Sequence, residues 1–143
     1  MKLTNKIKEA IIKEYNEFVD RQYGTTTEAE RKALGANFTP AEITIQMIEK
    51  LPNLDGDILD PCCGAGSLLA GCIIAGADPN KVYGNEYEEQ FVNLAKQRLG
   101  KFGVPDWHIH QGDATKIHDI AKENFGPDYK PYQEPQQISL WDI

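Results

Sequence analysis

The chain has 143 residues, 41% of them hydrophobic and 26% charged, which is typical of one globular domain with a buried core. Its net charge of −7 argues against a generic nucleic-acid coat, which would be basic. The cysteines Cys62, Cys63 and Cys72 lack metal-ligand spacing, so we predict reduced thiols and no metal site. Without a recognisable signal peptide or bilayer-length apolar run, we expect a cytoplasmic protein that does not enter membranes.

The N-terminal residues are predicted to be helical. Between residues 3 and 23, apolar side chains recur at three- and four-residue spacing, which predicts an amphipathic helix that ends at Gly24. A capping box, Thr27-x-x-Glu30, then predicts a short helix up to Gly35. The apolar stripe of the first helix comprises Leu3, Ile7, Ile11, Tyr15 and Phe18.

A second capping box, Thr39-x-x-Glu42, predicts another helix that runs to about Lys50. Pro40 occupies its first position, where the missing N–H costs no hydrogen bond. The residues predicted to form its buried face are Ile43, Met47, Ile48 and Leu51.

Strands and helices alternate in the middle of the chain. We predict strands at 57–60, 81–86 and 107–111, with helices at 68–75 and 88–99 between them. Strands joined through helices are parallel and connected by right-handed crossovers. The sequence therefore predicts an α/β sheet.

The turn at residues 60–67, Asp-Pro-Cys-Cys-Gly-Ala-Gly-Ser, is the most informative segment. We expect such a turn to present backbone N–H groups and to let a ligand approach the main chain. Gly64-x-Gly66 begins a dinucleotide fingerprint, but Leu69 occupies the position of its third glycine. Asp60 would also repel a pyrophosphate. A ligand with a positive charge suits the turn better.

Three acidic residues stand at the ends of the predicted strands: Asp60, Glu86 and Asp113. Ligands of open α/β sheets lie across the carboxyl ends of the strands. A nucleoside offers these carboxylates hydroxyl and amine hydrogens. Glu86 lies 20 residues after Gly66, close to the offset of the ribose-binding acid in Rossmann units. The alternative is that these are ordinary strand-end acids beside a tight turn.

Four motifs occur in a typical family order: Phe38-Thr39-Pro40, the turn at 60–67, Asn85-Glu86-Tyr87 and Gly112-Asp113-Ala114. Over residues 35–115 the chain thereby resembles S-adenosylmethionine-dependent DNA methyltransferases, in particular those that methylate adenine at N6, including modification subunits of restriction systems. The resemblance implies a truncated Rossmann-like methyltransferase fold, a three-layer parallel sheet with an N-terminal helical segment.

The same resemblance implies roles in binding S-adenosylmethionine. The Phe-Thr-Pro motif would border the methionine end, and Asp60 with the glycine turn would hold the aminoacyl group. Glu86 would take the ribose hydroxyls, Tyr87 would lie against the adenine, and Asp113 would bind its amine. The implied cofactor-binding residues are Phe38, Thr39, Pro40, Asp60, Cys62, Gly64, Gly66, Glu86, Tyr87, Asp113 and Ala114.

The family's catalytic motif, Asn/Asp-Pro-Pro-Tyr/Phe, is not found in the sequence. The nearest candidates for catalytic residues are Asp128 and Tyr129, in Gly126-Pro127-Asp128-Tyr129, and a tail loop is the alternative. Base-modifying enzymes must hold the extruded base, so catalysis would need a degenerate site or a partner subunit. The hypotheses are a methyltransferase that acts on DNA, a non-catalytic binding protein with the same fold, and a methyltransferase of RNA or a small molecule.

The sequence predicts three regions: an N-terminal helical segment (1–36), a cofactor-binding α/β domain (37–118) and an extended, proline-containing tail (119–143). The tail peptide Gln137-Ile138-Ser139-Leu140-Trp141 resembles the motif with which bacterial replication and repair proteins bind the sliding clamp. That resemblance implies partner-binding roles for Gln137, Ser139, Leu140 and Trp141. The alternative is that the apolar residues of this peptide pack on an open sheet edge.

Overall fold

The computed structural model describes residues 1–24 and 38–125, together with Thr27 and Ala29. Five helices and three strands follow one another there in the order α1, α2, β1, α3, β2, α4, β3, α5. The helices are α1 (Asn5–Tyr23), α2 (Ala41–Glu49), α3 (Ser67–Ile74), α4 (Glu89–Gly100) and α5 (Ile117–Asn124), and the strands are β1 (Ile58–Asp60), β2 (Val82–Glu86) and β3 (Ile109–Gln111). None of the helices in these ranges is long and apolar enough to cross a membrane.

The strands form a parallel sheet in the order β1-β2-β3. In this register Leu59 lies beside Tyr83, and Gly84 lies beside both Asp60 and Ile109. Because all three strands run in one direction, their carboxyl ends meet at one edge of the sheet. The predicted α/β class and the position of the three acids at this edge are confirmed.

The predicted N-terminal helix is confirmed as α1. The hydroxyl oxygen of Thr4 accepts a hydrogen bond from the Ile7 N–H at 3.2 Å, which caps the first turn. Gly24 follows the last turn with φ 77°, a value that favours glycine. Four residues of the predicted stripe are buried and Ile7 is half-buried, so α1 shares one core with the α/β layers. The division at residues 36 and 118 stays a prediction.

The start and the buried face of α2 differ from the prediction. The N-cap residue is Pro40, which forms no side-chain cap. The prediction of a capping box that begins at Thr39 is therefore wrong. Ile43 and Met47 are each 44% exposed, whereas Thr44 and Ile45 are buried beside the correctly predicted Ile48. The helix α2 packs this face against α3.

Gly71 of α3 explains which face of α2 is buried. A Cβ atom at this position would lie 2.5 Å from Thr44 Cγ2 and 3.0 Å from Ile48 Cδ1. The missing side chain thus lets the two helices approach closely. The small residue on α3 selects the face of α2 that is buried, although Ile43 and Met47 are as hydrophobic as the residues it selects.

The opposite face of the sheet is covered by α5. Ile120, Ala121 and Phe125 form a cluster to which Leu59 and Tyr83 add their side chains. These two strand residues point away from the larger core because successive strand side chains alternate between faces. The prediction of an extended tail from residue 119 is therefore wrong for residues 119–124, which are helical. This helix forms the third of the three predicted layers.

Candidate functional site

Four backbone N–H groups of the glycine-rich turn after β1 donate hydrogen bonds within the protein. The N–H of Cys63 donates to the Asn85 carbonyl at 2.9 Å, and the N–H of Gly66 donates to the Cys63 carbonyl at 2.8 Å. The N–H groups of Cys62 and Gly64 donate to side-chain carboxylates. The expectation that this turn presents such groups to a ligand is wrong for these four residues. A phosphate cradle needs free backbone donors, so the structure disfavours a phosphate site.

Glu86 connects the glycine turn to the start of α4. Its Oε1 accepts from the Gly64 N–H at 3.1 Å, and its Oε2 accepts from the Glu88 N–H at 2.8 Å. A carboxylate oxygen has more than one acceptor site, so each can still accept a ligand hydroxyl. Glu86 thus has a fixed orientation at the carboxyl end of β2.

Asp60 faces the same space from the end of β1. Its Oδ1 accepts the N–H of Cys62 at 3.1 Å. Burial raises the pKa of this carboxyl, and the negative charge of Glu86 raises it further, although the Cys62 hydrogen bond opposes both. A carboxylate whose charge is disfavoured by burial and by a second carboxylate favours a positively charged ligand beside it.

The raised pKa gives a stability prediction for Asp60→Asn, which keeps the Oδ1 acceptor and removes the charge. A raised folded-state pKa means that Asp60 stabilises the fold below its ordinary pKa of 3.8 and that this stability is lost as pH rises through the folded-state pKa. We therefore expect Asp60→Asn to raise the urea midpoint at pH 7 and to change it little near pH 3. The check is urea unfolding across this pH range. A lower midpoint at pH 7 would contradict the burial argument.

Asp113→Asn is the matched control because the pKa of Asp113 is shifted in the opposite direction, so the expected change in stability is also opposite. The backbone N–H of Thr115 and its hydroxyl donate to Asp113 Oδ1 at 2.9 and 2.8 Å, and they lower the pKa of this exposed carboxyl. A lowered pKa means that the ionised form stabilises the fold above pH 3.8 and that this stability is lost as pH falls. Asp113→Asn should thus lower the midpoint at pH 7.

The third strand end lies beside an exposed aromatic residue. Asp113 caps the short 3-10 turn Ala114–Lys116, and both bonds from Thr115 end on one carboxylate oxygen, Oδ1. The side chain of Tyr87 is 72% exposed, while its carbonyl accepts from Gln111 Nε2 at 3.2 Å. An exposed ring at the carboxyl edge of the sheet suits a planar ligand such as a nucleobase.

The buried amide of Asn85 connects the three strand ends, a role that sequence reasoning missed. Its Nδ2 donates to the carbonyls of Pro61 at 3.1 Å and Gly112 at 3.0 Å. Its Oδ1 lies 3.1 Å from His110 Nδ1. Asn85 is 1% exposed. The sequence contained one signal for Asn85, its position beside Glu86 in the Asn85-Glu86-Tyr87 motif.

The Phe-Thr-Pro motif lies between α1 and α2. Phe38 is buried, with its ring centroid 5.3 Å from that of Phe18 and 6.2 Å from that of Phe91, both in edge-to-face contact. Thr39 is exposed and Pro40 half-buried. Phe38 anchors this motif in the core, and its predicted contact with the methionine end of a cofactor stays a prediction.

The three cysteines are free thiols, as predicted. Cys62 is exposed beside Asp60. Cys63 is buried, and burial together with the charges of Asp60 and Glu86 raises the pKa of its thiol. A Cβ atom on Gly84 would lie 2.9 Å from the Cys63 sulfur, so the glycine lets the turn lie flat on β2. Cys63 thus acts as a packing residue of the turn.

Several predicted residues lie outside the residues that the structure describes. They are the catalytic candidates Asp128 and Tyr129, the clamp-peptide residues Gln137, Ser139, Leu140 and Trp141, and the ends of the short helix predicted after Thr27. Their roles stay predictions.

A parallel sheet with a glycine turn after its first strand and acids at all three strand ends defines a Rossmann-like methyltransferase domain. The family model for N-6 DNA methylase matches residues 8–137, most of the chain. The chain therefore belongs to the N-6 DNA methylase family. The match extends on both sides of residues 35–115, over which the sequence motifs showed the resemblance, and it takes in most of α1.

Curated relatives include a type II methyltransferase, the methylase subunit of a type I restriction enzyme and a tRNA methyltransferase. The type II methyltransferase M.VspI of a Vibrio species is 29% identical over 61% of this chain, and the type I restriction enzyme MjaIX methylase subunit of Methanocaldococcus jannaschii is 29% identical over 83%. The tRNA (guanine(10)-N2)-dimethyltransferase of Pyrococcus abyssi is 40% identical over 56%. The chain spans 22%, 22% and 23% of these three proteins, respectively. No solved structure matches the chain.

Proposed function

We propose that this chain binds S-adenosylmethionine and provides the cofactor-binding part of a DNA adenine methyltransferase. The observation that carries the proposal is the pair of carboxylates, Asp60 and Glu86, at the glycine turn. The backbone N–H groups of Cys62, Cys63, Gly64 and Gly66 already donate hydrogen bonds within the protein. The groups available to a ligand beside the turn are therefore mainly the acidic acceptors of the two carboxylates.

S-adenosylmethionine matches the chemistry of these groups. It carries an ammonium and a sulfonium, two ribose hydroxyls and an adenine with an exocyclic amine. Asp60 would hold the ammonium, Glu86 the ribose hydroxyls, and Asp113 with Tyr87 the adenine. When bound, the cofactor supplies a methyl group activated on a positively charged sulfur. The residues of this chain orient that cofactor, and the base that receives the methyl group requires further residues.

Adenine in DNA is the proposed methyl acceptor because of the family and two of the relatives. The family is described as N-6 DNA methylase, and these relatives are named as a type II methyltransferase and as the methylase subunit of a type I restriction enzyme. A second polypeptide or further segment would hold the base, since such enzymes extrude the base and enclose it. The tRNA enzyme among the relatives makes RNA the alternative acceptor.

Calorimetric titration with S-adenosylhomocysteine tests the cofactor site. We expect the wild-type chain to bind it, and Asp60→Asn and Glu86→Gln each to weaken binding about tenfold or more, because each removes a charge-assisted hydrogen bond. Lys13→Ala, on the exposed face of α1, is the matched control and should bind like the wild type. An absence of binding by the wild type at millimolar ligand would overturn the proposal.

A labelled-methyl assay identifies the acceptor. The chain is incubated with labelled S-adenosylmethionine and unmethylated DNA or a tRNA transcript, alone and with a methyltransferase subunit that carries the Asn/Asp-Pro-Pro-Tyr/Phe motif. Label in adenine of DNA supports the proposal, and label in tRNA alone assigns the RNA alternative. Cofactor binding without transfer under any of these conditions supports the non-catalytic binding protein instead.

A further inference from the structure

Arg98 is a buried cation at the back of the glycine turn. Its position in the last turn of α4 predicts a surface charge that complements the helix dipole, but the residue is 2% exposed. Its Nε and Nη2 donate to the two carboxylate oxygens of Glu14 at 2.6 and 2.7 Å. The guanidinium carbon lies 4.1 Å from the centroid of the Phe18 ring. Arg98 thus joins α4 to α1 by a bidentate pair stacked on an aromatic ring.

The remaining nitrogen of the guanidinium contacts the glycine turn itself. Nη1 of Arg98 donates to the hydroxyl of Ser67 at 2.8 Å and to the Ala65 carbonyl at 3.4 Å. Between these two residues, Gly66 has φ 86°, and its Cα lies against the side chain of Leu99. The guanidinium thus connects the residues before and after Gly66 to the N-terminal helix. Glu86 binds the same turn through the N–H of Gly64.

We infer that Glu14 and Arg98 are positioning residues that hold residues 65–67 of the turn in the geometry that binds the cofactor; the inference rests on the proposed function. A buried ion pair is a poor device for stability alone, because apolar residues of similar size often replace it without loss. The planar, five-donor guanidinium instead allows one group to bind a carboxylate and a turn together. Glu14 also neutralises the cation, which would otherwise repel a positively charged ligand.

The double variant Glu14→Leu/Arg98→Met separates positioning from stability. It replaces the pair by apolar residues and leaves no unpaired buried charge. We expect a melting temperature close to that of the wild type, faster hydrogen exchange at the Gly66 amide in the ligand-free chain, and about tenfold weaker binding of S-adenosylhomocysteine. This is the lower end of what supporting residues contribute at metal sites. The matched control is Lys13→Ala/Glu17→Ala, which removes an exposed pair on α1 with side chains 77% and 57% exposed.

Ser67→Ala is the second variant and is decisive if the double variant does not fold. It removes the hydroxyl that Arg98 contacts and keeps the ion pair, so the same faster exchange and weaker binding are expected. Wild-type affinity and wild-type exchange in a folded variant would overturn the inference. If the wild type does not bind S-adenosylhomocysteine, the proposed function fails separately, and the exchange rate of Gly66 decides whether the pair holds the turn.

Discussion

Replacing Arg98 alone by methionine should lower the free energy of unfolding by about 3–5 kcal/mol. The substitution leaves the carboxylate of Glu14, whose side chain is 15% exposed, without the cation that it binds at 2.6 Å. It also leaves the Ser67 hydroxyl without its donor. An uncompensated charge in a largely buried position costs more than the pair contributes, so the single variant should be far less stable than the double variant Glu14→Leu/Arg98→Met.

Urea unfolding at pH 7 measures this difference. Lys13→Ala is the control, because its pair with Glu17 is exposed and such pairs contribute at most about 1 kcal/mol. A loss below about 1 kcal/mol for Arg98→Met would show that Glu14 turns into solvent and that the pair does not hold α1 against α4. Equal stability of the single and double variants would contradict the account of the buried charge.

Replacing Asn85 by leucine should lower the free energy of unfolding by about 3 kcal/mol. The change removes an amide that binds the carbonyls of Pro61 and Gly112 and lies 3.1 Å from His110 Nδ1. Leucine is similar in size, so the cost comes from polar groups that lose their partners in a buried place. Because Asn85 connects the turn after β1 to the turn after β3, the variant should also bind S-adenosylhomocysteine more weakly.

The control for Asn85→Leu is Asn93→Leu on the exposed face of α4, where the same change should alter stability by less than about 0.5 kcal/mol. Urea unfolding and calorimetric titration of both variants supply the comparison. If Asn85→Leu is as stable as Asn93→Leu and binds the ligand like the wild type, the three strand ends are held by their backbone bonds alone.

The strand-end part of the candidate site was predictable from the sequence because its signals are local. Asp60 and Glu86 end their strands and Asp113 closely follows β3, and parallel strands bring such residues to one edge. The preference of the turn for a cationic ligand stays a prediction. Its preference for a cation was argued from Asp60, whereas the structure adds that four of its backbone donors are already used within the protein.

The errors concern residues whose environment is set by distant parts of the chain. Thr44 is buried and Met47 exposed because Gly71 of another helix admits one face of α2 closely. Residues 119–124 are helical because Leu59 and Tyr83 offer an apolar surface on the second face of the sheet. The apolar residues Ile117, Ile120, Ala121 and Phe125 do lie at helical spacing, but the prolines that follow at 127, 131 and 135 favoured the prediction of an extended tail.

The sequence by itself determined the order of the elements from α1 to β3, the parallel sheet and the edge where its three acids meet. These features can be predicted without a structure, because periodicity, turn residues and strand ends depend on residues that are close in the sequence. Only the tertiary structure decided that Arg98 is buried against Glu14 and Ser67, and that Asn85 joins three strand ends. Those contacts join residues that are 24 to 84 positions apart, and no local pattern encodes them.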